Sequence, residues 1–400
     1  MTHAVGRRGL IGAALAGAAL SAAATLPGCS RTPDRQASDR PVPTRTGTRR
    51  AATRPLLIGT YTSGDGEGEG GGTGIGTGTY DPTTGRISLA ATIGGVDNPS
   101  YLAPHPSGST VYAVGEQEKG VVTAVALDPD GAHRVLGTRS TGGAGPTHLS
   151  VHPSGKWLLS ANYTSGSVAV HPLGDDGSPG KRSDLVAHRS PPPGPGQDGP
   201  HAHQIITAPD GRHVLATDLG NDTVYTYRLD TAHGTLTEVS RATVRPGAGP
   251  RHLTFHPGGR YAYLACELDN TTVVCGYDPA TGALSPGSGQ STGTGPGTSY
   301  PAQLLVTGDG AFAYLANRGH NSLTRYAVEE NGAALRLLGT VPVGGDFPRQ
   351  IAISPDGALL LAANQRSGTV TVFHVDRRGG GLRGAGPPAA APGAACVLPL

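Results

Sequence analysis

From residue 55 onward a segment of about 50 residues recurs along the chain. Each copy carries three or four short apolar runs without helical period, and Gly and Pro punctuate them throughout. These three observations predict an all-β fold, a seven-bladed β-propeller closed by its C-terminal strand. The chain has 400 residues, 64 of them Gly and 34 Pro, with 15% charged residues and a net charge of +2. Gly and Pro together reach about a quarter of the chain, near the level of disordered sequences. The low charge and regularly spaced apolar runs argue instead for a folded β-protein. The near-neutral balance also excludes a large nucleic-acid footprint, so no nucleic-acid partner is expected.

Residues 1–29 read as an export signal. Arg7-Arg8 precede an apolar, Ala-rich run that reaches Leu26. Adjacent arginines point to the twin-arginine route, which carries folded proteins. The competing reading is a transmembrane anchor, disfavoured because the run is poor in Leu, Ile and Phe. Leu26-Pro27-Gly28-Cys29 resembles a bacterial lipobox, the signature of a lipoprotein. The one membrane contact expected is therefore a candidate lipid anchor at Cys29. Residues 30–54, rich in Arg, Thr, Pro, Asp and Ser, read as a flexible linker. The mature chain is expected outside the cytoplasm.

Residues 55–400 form the propeller. Six copies begin at Asn98-Pro99, Gly145-Pro146, His201-Ala202, Gly249-Pro250, Tyr300-Pro301 and Phe347-Pro348. In each, a short strand leads to a turn such as Pro106-Ser107-Gly108 or Pro355-Asp356-Gly357, and a second strand returns. The seventh copy starts at its second strand, Leu56 to Tyr61. Its missing inner strand is expected from Ala395 to Leu398, which pairs the chain ends and removes open edges. Gly64 to Gly78 is expected as a blade-one loop, and Pro191 to Gly199 as a loop before blade four. Cys266 and Cys275 fall on consecutive strands, as a cross-strand disulfide or as buried thiols.

The repeat aligns positions that should ring one channel mouth. One set lies near the start of each first strand: Ser100, Thr147, His203, Arg251, Ala302 and Arg349. Its immediate neighbours are Tyr101, His148, Gln204, His252, Gln303 and Gln350. Another lies at the end of each second strand: Tyr61, Glu116, Tyr163, Leu219, Glu267, Arg318 and Gln365. Apolar positions recur between copies, whereas these diverge into His, Arg, Glu and Gln, as an asymmetric ligand site requires. Weaker motifs are set aside. Gly289-Gln290-Ser291-Thr292-Gly293 matches a serine nucleophile elbow, but lacks a strand before and a helix after. Asp65, Glu67 and Glu69 lack the terminal glutamate of a calcium loop. His201 and His203 lack a third zinc ligand. No metal and no cofactor are expected.

Pro200-His201-Ala202-His203, Asp218-Leu219-Gly220, Gly249-Pro250-Arg251-His252, Asn317-Arg318-Gly319 and Ala363-Asn364-Gln365 occur in order after Ile58-Gly59-Thr60-Tyr61. Carrying these motifs, the chain resembles the seven-bladed propeller lactonase family. That family includes cycloisomerase-type 6-phosphogluconolactonases of carbohydrate metabolism and the fungal carboxy-muconate lactonising enzyme. The resemblance implies a metal-independent hydrolase site at one channel mouth. The family's His, Arg, Glu and Arg fall on His203, Arg251, Glu267 and Arg318. The Gly-rich loop and the export signal set this chain apart from cytoplasmic members.

Opening a lactone needs an activated water and stabilisation of the carbonyl oxygen as it gains charge. Glu267 or His203 can take the water proton. Arg251 and Arg318 can stabilise the oxyanion or hold an anionic group. His201, Asp218, Arg349 and Gln365 are the expected substrate contacts. The expected partner is a small sugar or carboxylated lactone, with a monomeric enzyme. The rival reading is a non-catalytic, surface-tethered propeller that acts as a binding or interaction module. Convergence of His203, Arg251, Glu267 and Arg318 in one pocket would separate the two.

Overall fold

The turns explain why the copies fold as hairpins. Gly108, Gly155, Gly211, Gly259, Gly310 and Gly357 all hold φ between 69 and 75°, a left-handed conformation that a Cβ disfavours. Each sits in the turn that reverses a first strand into a second, as Ala202–Thr207 into His213–Asp218. The computed structural model describes residues 52–400 apart from 64–69, 129–130, 190–193, 195–196 and 296. The export signal, Cys29, Asp65, Glu67, Glu69 and most of the expected linker lie outside these residues. The first strand already begins at Arg54, inside the segment expected as linker.

Seven antiparallel sheets follow in order. Blades two to seven are contiguous, at residues 102–140, 146–187, 202–243, 250–291, 300–342 and 348–390. Blade one is composite. Its strands run Ala394–Pro399, Arg54–Thr60, Ile75–Tyr80 and Ile87–Ile93. Leu57 stands opposite Leu398 and Ile58 opposite Val397, so the C-terminal strand closes the ring. One expectation fails in this blade. Ile75–Tyr80 is a strand, so the Gly-rich loop ends earlier than Gly78. Its glycines allow close packing: a Cβ on Gly78 would stand 2.5 Å from the Ser88 carbonyl oxygen.

Burial follows position in the blade. Second strands such as Trp157–Asn162 and Leu359–Asn364 are buried along their whole length, because each blade is covered on both faces. Outer strands such as Thr235–Thr243 alternate toward solvent. The core is accordingly a set of layers between adjacent blades. Trp157, Leu159 and Val168 of blade three pack with Val214, Tyr225 and Tyr227 of blade four. Blade seven joins blade one through Leu359 and Leu361 against Leu56, Ile58 and Val397. Buried tyrosines add ties between blades: Tyr112 donates to the Gly177 carbonyl at 2.9 Å and Tyr263 to that of Gly332 at 2.9 Å.

Cys266 stands opposite Thr271, and Cys275 opposite Ala262, so the two thiols are not cross-strand partners. Both are buried and free. Ser291 ends an outer strand, with no helix after it, so no nucleophile elbow forms.

Candidate active site

The first strands of blades three, four, five and seven carry a β-bulge at one shared position. The register skips Thr147, His203, Arg251 and Arg349. Strict alternation would send neighbours such as His203 and Gln204 to opposite faces. The bulge releases one residue from the ladder and re-aims it. His203 thereby reaches the cavity at one mouth, while Gln204 lines the opposite end of the channel. A second set comes from the residue at the end of each second strand. The backbone N–H of Glu116, Tyr163, Leu219, Glu267 and Gln365 donates to the carbonyl of Asn98, Gly145, His201, Gly249 and Phe347, respectively, at 2.8–3.1 Å.

These two sets meet in a cavity of about 520 Å³ lined by His203, Glu267, Arg318 and Arg349, with Tyr61, Glu116 and Tyr163 among its other walls. Glu267 Oε2 lies 2.8 Å from Arg251 Nε and 2.5 Å from Arg318 Nη2. Arg251 stands behind Glu267, and its side chain is only 2% exposed. Arg318 is packed by aromatic rings, its Cζ 5.3 Å from the Phe347 centroid and 6.0 Å from that of Tyr300. Phe347 holds a left-handed φ of 64° where blades three and five have Gly145 and Gly249. A bulky residue there is strained by about 1–3 kcal/mol. Its N–H donates to Asn321 Oδ1 at 2.8 Å, and Arg366 covers the ring at 3.8 Å.

His203 is buried, with Nδ1 unpartnered. Burial, then the charges of Arg251, His252, Arg349 and Arg318, hold its pKa well below the ordinary histidine value. Its ring is therefore neutral at pH 7. Beneath it the channel is filled by aromatic contacts, His203 to His252 at 5.6 Å, His252 to His148 at 5.5 Å and His148 to Tyr101 at 4.3 Å between centroids. Burial also lowers His252 well below its ordinary pKa and takes His148 down to about 3.

A second ionic group forms the far wall. Glu116 Oε2 accepts from Tyr61 Oη at 2.7 Å and from Ser100 Oγ. Arg349 Nη2 lies 3.4 Å from Glu116 Oε1, with its Cζ 5.2 Å above the Tyr61 ring. The internal repeat puts Tyr61, Glu116 and Tyr163 on the mouth, but gives no reason to select them. The selecting signal is the pairing of blade two with blade seven, which only the closed ring creates.

Of the other residues expected at the site, His201, Asp218 and Gln365 do not line the cavity. His201 stacks on Tyr163 at 4.5 Å, and its Nε2 lies 2.9 Å from Asp198 Oδ1. Asp218 is fully buried: Oδ2 lies 2.5 Å from His188 Nδ1, and Oδ1 accepts the N–H of His201 and of Gly220. Gln365 is buried with Oε1 unpartnered. Among the described residues no cluster of three or more His, Cys, Asp or Glu could hold a metal ion.

A ring of seven closed blades with two arginines on one carboxylate, beside a neutral histidine, is the framework against which known proteins can be compared. The chain belongs to the family described as Lactonase, 7-bladed beta-propeller, whose model matches residues 55–399. It is 33% identical over 293 residues to the 6-phosphogluconolactonase of Bacillus subtilis (strain 168), which covers 72% of this chain and 82% of that protein. Among solved structures, the periplasmic gluconolactonase PpgL of Pseudomonas aeruginosa superposes with TM-score 0.79 and 30% identity, over 87% of this chain and 99% of that one. A protein from Lactobacillus plantarum superposes with TM-score 0.80 and 32% identity, over 87% of this chain and 100% of that one.

Proposed function

We propose that this propeller hydrolyses a sugar lactone at the channel mouth that holds Glu267. The observation that carries the reading is the grouping of Glu267, Arg318 and His203 on one cavity, with Arg251 bound to Glu267 from outside its lining. A water attacks the lactone carbonyl carbon. His203, neutral and facing the cavity, takes its proton. Glu267 Oε2 is already committed to two guanidinium groups, so its part is to orient them. Arg318 lines the cavity and stabilises the carbonyl oxygen as it becomes negative, with Arg251 holding Glu267 from behind. Collapse of the intermediate breaks the ring C–O bond. His203 then returns its proton to the departing alkoxide, and a hydroxy acid leaves. The steps use only groups of this chain, and a chelator is expected to leave the rate unchanged.

Charge supports a neutral lactone over a phosphorylated or carboxylated one. Arg251 and Arg318 face Glu267, Arg349 faces Glu116, and Glu118 also lines the wall, so three carboxylates balance three guanidinium groups and the cavity offers no excess of cations. The name of the Pseudomonas relative, a periplasmic gluconolactonase, agrees with such a substrate outside the cytoplasm. Export on the twin-arginine signal and anchoring through Cys29 belong to the same reading. Replacing Arg7-Arg8 by Lys-Lys should then leave the chain in the cytosolic fraction.

The test compares purified mature protein on neutral, carboxylated and phosphorylated lactones at matched concentrations. Preference for the neutral lactone in kcat/KM is the expected result. Preference for the phosphorylated one overturns the substrate, and no turnover of any lactone overturns the activity.

A further inference from the structure

The cavity has two ionic poles, and the first accounts for the chemistry alone. Glu267 and Glu116 occupy equivalent places, each directly after the second strand of its blade, Tyr261–Cys266 and Thr110–Gly115. Arg251 and Arg349 are likewise equivalent, both being the bulged residue of a first strand. Glu116 with Arg349 is thus a second carboxylate–guanidinium pair made from the same two positions, but across blades two and seven instead of within one blade. Blade five, which carries the first pair, stands three blades from blade two and two from blade seven around the ring, so Glu116 lies across the mouth from Glu267.

The two pairs differ in what surrounds the carboxylate. Glu267 has a second arginine, Arg318, from the neighbouring blade. Glu116 instead has hydroxyl groups, Tyr61 Oη from blade one and Ser100 Oγ from its own blade. At the place equivalent to Arg318, the blade after blade two presents Tyr163. This wall therefore lacks the second guanidinium group that the Glu267 pole has. A carboxylate already served by hydroxyl donors is suited to accept from a substrate hydroxyl in place of one of them, while the guanidinium donates to a hydroxyl or ring oxygen. Asn98 stiffens this wall: its Oδ1 accepts from the N–H of Thr62 at 2.8 Å and of Ser63 at 3.1 Å, directly after Tyr61.

We propose that Glu116, Arg349 and Tyr61 form a polyol-recognition subsite that binds the hydroxyl groups of the lactone while its carbonyl lies at Arg318 and His203. The proposal rests on the lactonase reading and supplies its specificity. On binding, a substrate hydroxyl replaces Ser100 as donor to Glu116, while Tyr61 keeps its bond and holds the carboxylate in place. A hydrogen bond to a charged group is worth about 1.5–3 kcal/mol, or roughly 10- to 100-fold in affinity.

The experiment uses Glu116→Gln and Tyr61→Phe, which keep size and shape, on glucono-δ-lactone and on δ-valerolactone, which has no hydroxyl groups. Thermal unfolding checks that both variants fold. For Glu116→Gln, kcat/KM on glucono-δ-lactone should fall about tenfold or more, mainly through KM, while δ-valerolactone turnover changes less than about twofold. Tyr61→Phe should shift the same ratio in the same direction by less. An equal loss on both lactones through kcat overturns the proposal and makes Glu116 part of the reacting centre. No change on either lactone also overturns it. Calorimetric binding of D-gluconate separates this failure from failure of the lactonase reading. If the wild type opens no lactone yet binds gluconate, and Glu116→Gln weakens that binding tenfold, the subsite stands without the hydrolysis. Undiminished gluconate binding by the variant removes it.

Discussion

Asp218 Oδ2 lies 2.5 Å from His188 Nδ1, and both side chains are fully buried. The pair joins blade four to the residue that follows the outer strand of blade three, Asp184–Ala187. The other Asp218 oxygen holds the N–H of His201 at 2.7 Å, two residues before His203. The arrangement gives Asp218 the task of fixing where the first strand of blade four begins. Its sequence motif alone suggested contact with substrate.

Asp218→Ala is therefore expected to destabilise the domain by about 2–5 kcal/mol, since each buried donor left without its acceptor costs about 1–3 kcal/mol. His188 would lose its acceptor, and the His201 and Gly220 N–H groups would lose theirs. Urea unfolding measures the loss. Wild-type stability with a raised KM would instead make Asp218 a substrate contact.

Arg251 sits at the channel mouth, where a polar side chain is expected to matter little for stability. Its 2% exposure and its position behind Glu267 change that expectation. Arg251→Ala should lower lactone turnover by about 10²-fold, because Glu267 then no longer holds Arg318 in place to stabilise the oxyanion. It should also cost about 1–3 kcal/mol, because Glu267 keeps Arg318 but loses its second donor. Steady-state kinetics together with thermal unfolding test both parts. Normal turnover would remove Arg251 from the mechanism, and full stability would show that Arg318 alone satisfies Glu267.

Acid should weaken the channel. His148, His203 and His252 all have folded-state pKa values below the ordinary 6.5, with burial as the first cause. An unfolded chain takes up protons at these groups before the folded one does. Stability is then complete above about pH 6.5 and falls as pH drops toward about 3, the value of His148. Each histidine contributes a slope of up to about 1.4 kcal/mol per pH unit in this window. Burial lowers His171 as well, so His148→Gln should flatten the dependence of melting temperature on pH by roughly a quarter, one of four protons. An unchanged slope would show that these imidazoles do not govern acid unfolding. If His203 is the base, the acid limb of kcat/KM should likewise lie below pH 6.5, since protonation removes its acceptor.

Deleting residues 394–400 should unfold the domain as a whole. The segment supplies the first strand of blade one, and Val397 donates to Gln350 Oε1 of blade seven at 2.8 Å. Its loss exposes a strand edge and opens the ring. A calorimeter should show one transition in the intact protein and none near that temperature in the truncated chain. Two independent transitions would contradict ring closure as the source of cooperativity.

The sequence by itself determined the architecture. A Pro-x-Gly or Asp-Gly turn recurring every 50 or so residues fixes each hairpin, because glycine takes the left-handed turn without strain. Apolar runs such as Trp157–Asn162 fix the strands buried between blades, and the missing inner strand beside Leu56 fixes the closure by Ala394–Pro399. His203, Arg251, Glu267 and Arg318 were legible because their equivalent positions diverge between copies while the apolar positions recur, and because the motifs that carry them resemble those of a lactonase family. Tertiary structure decided the rest. A bulge adds no residue type of its own, so the strand sequence does not reveal that His203 leaves the ladder at Ala202 and Gln204. Nor does it show that Asp218 turns inward to His188, 30 residues away. Glu116 and Arg349 are 233 residues apart, and only closing the ring brings them together. Local periodicity reports which face a residue takes; which charge it meets depends on contacts between distant blades, which form only in the closed ring.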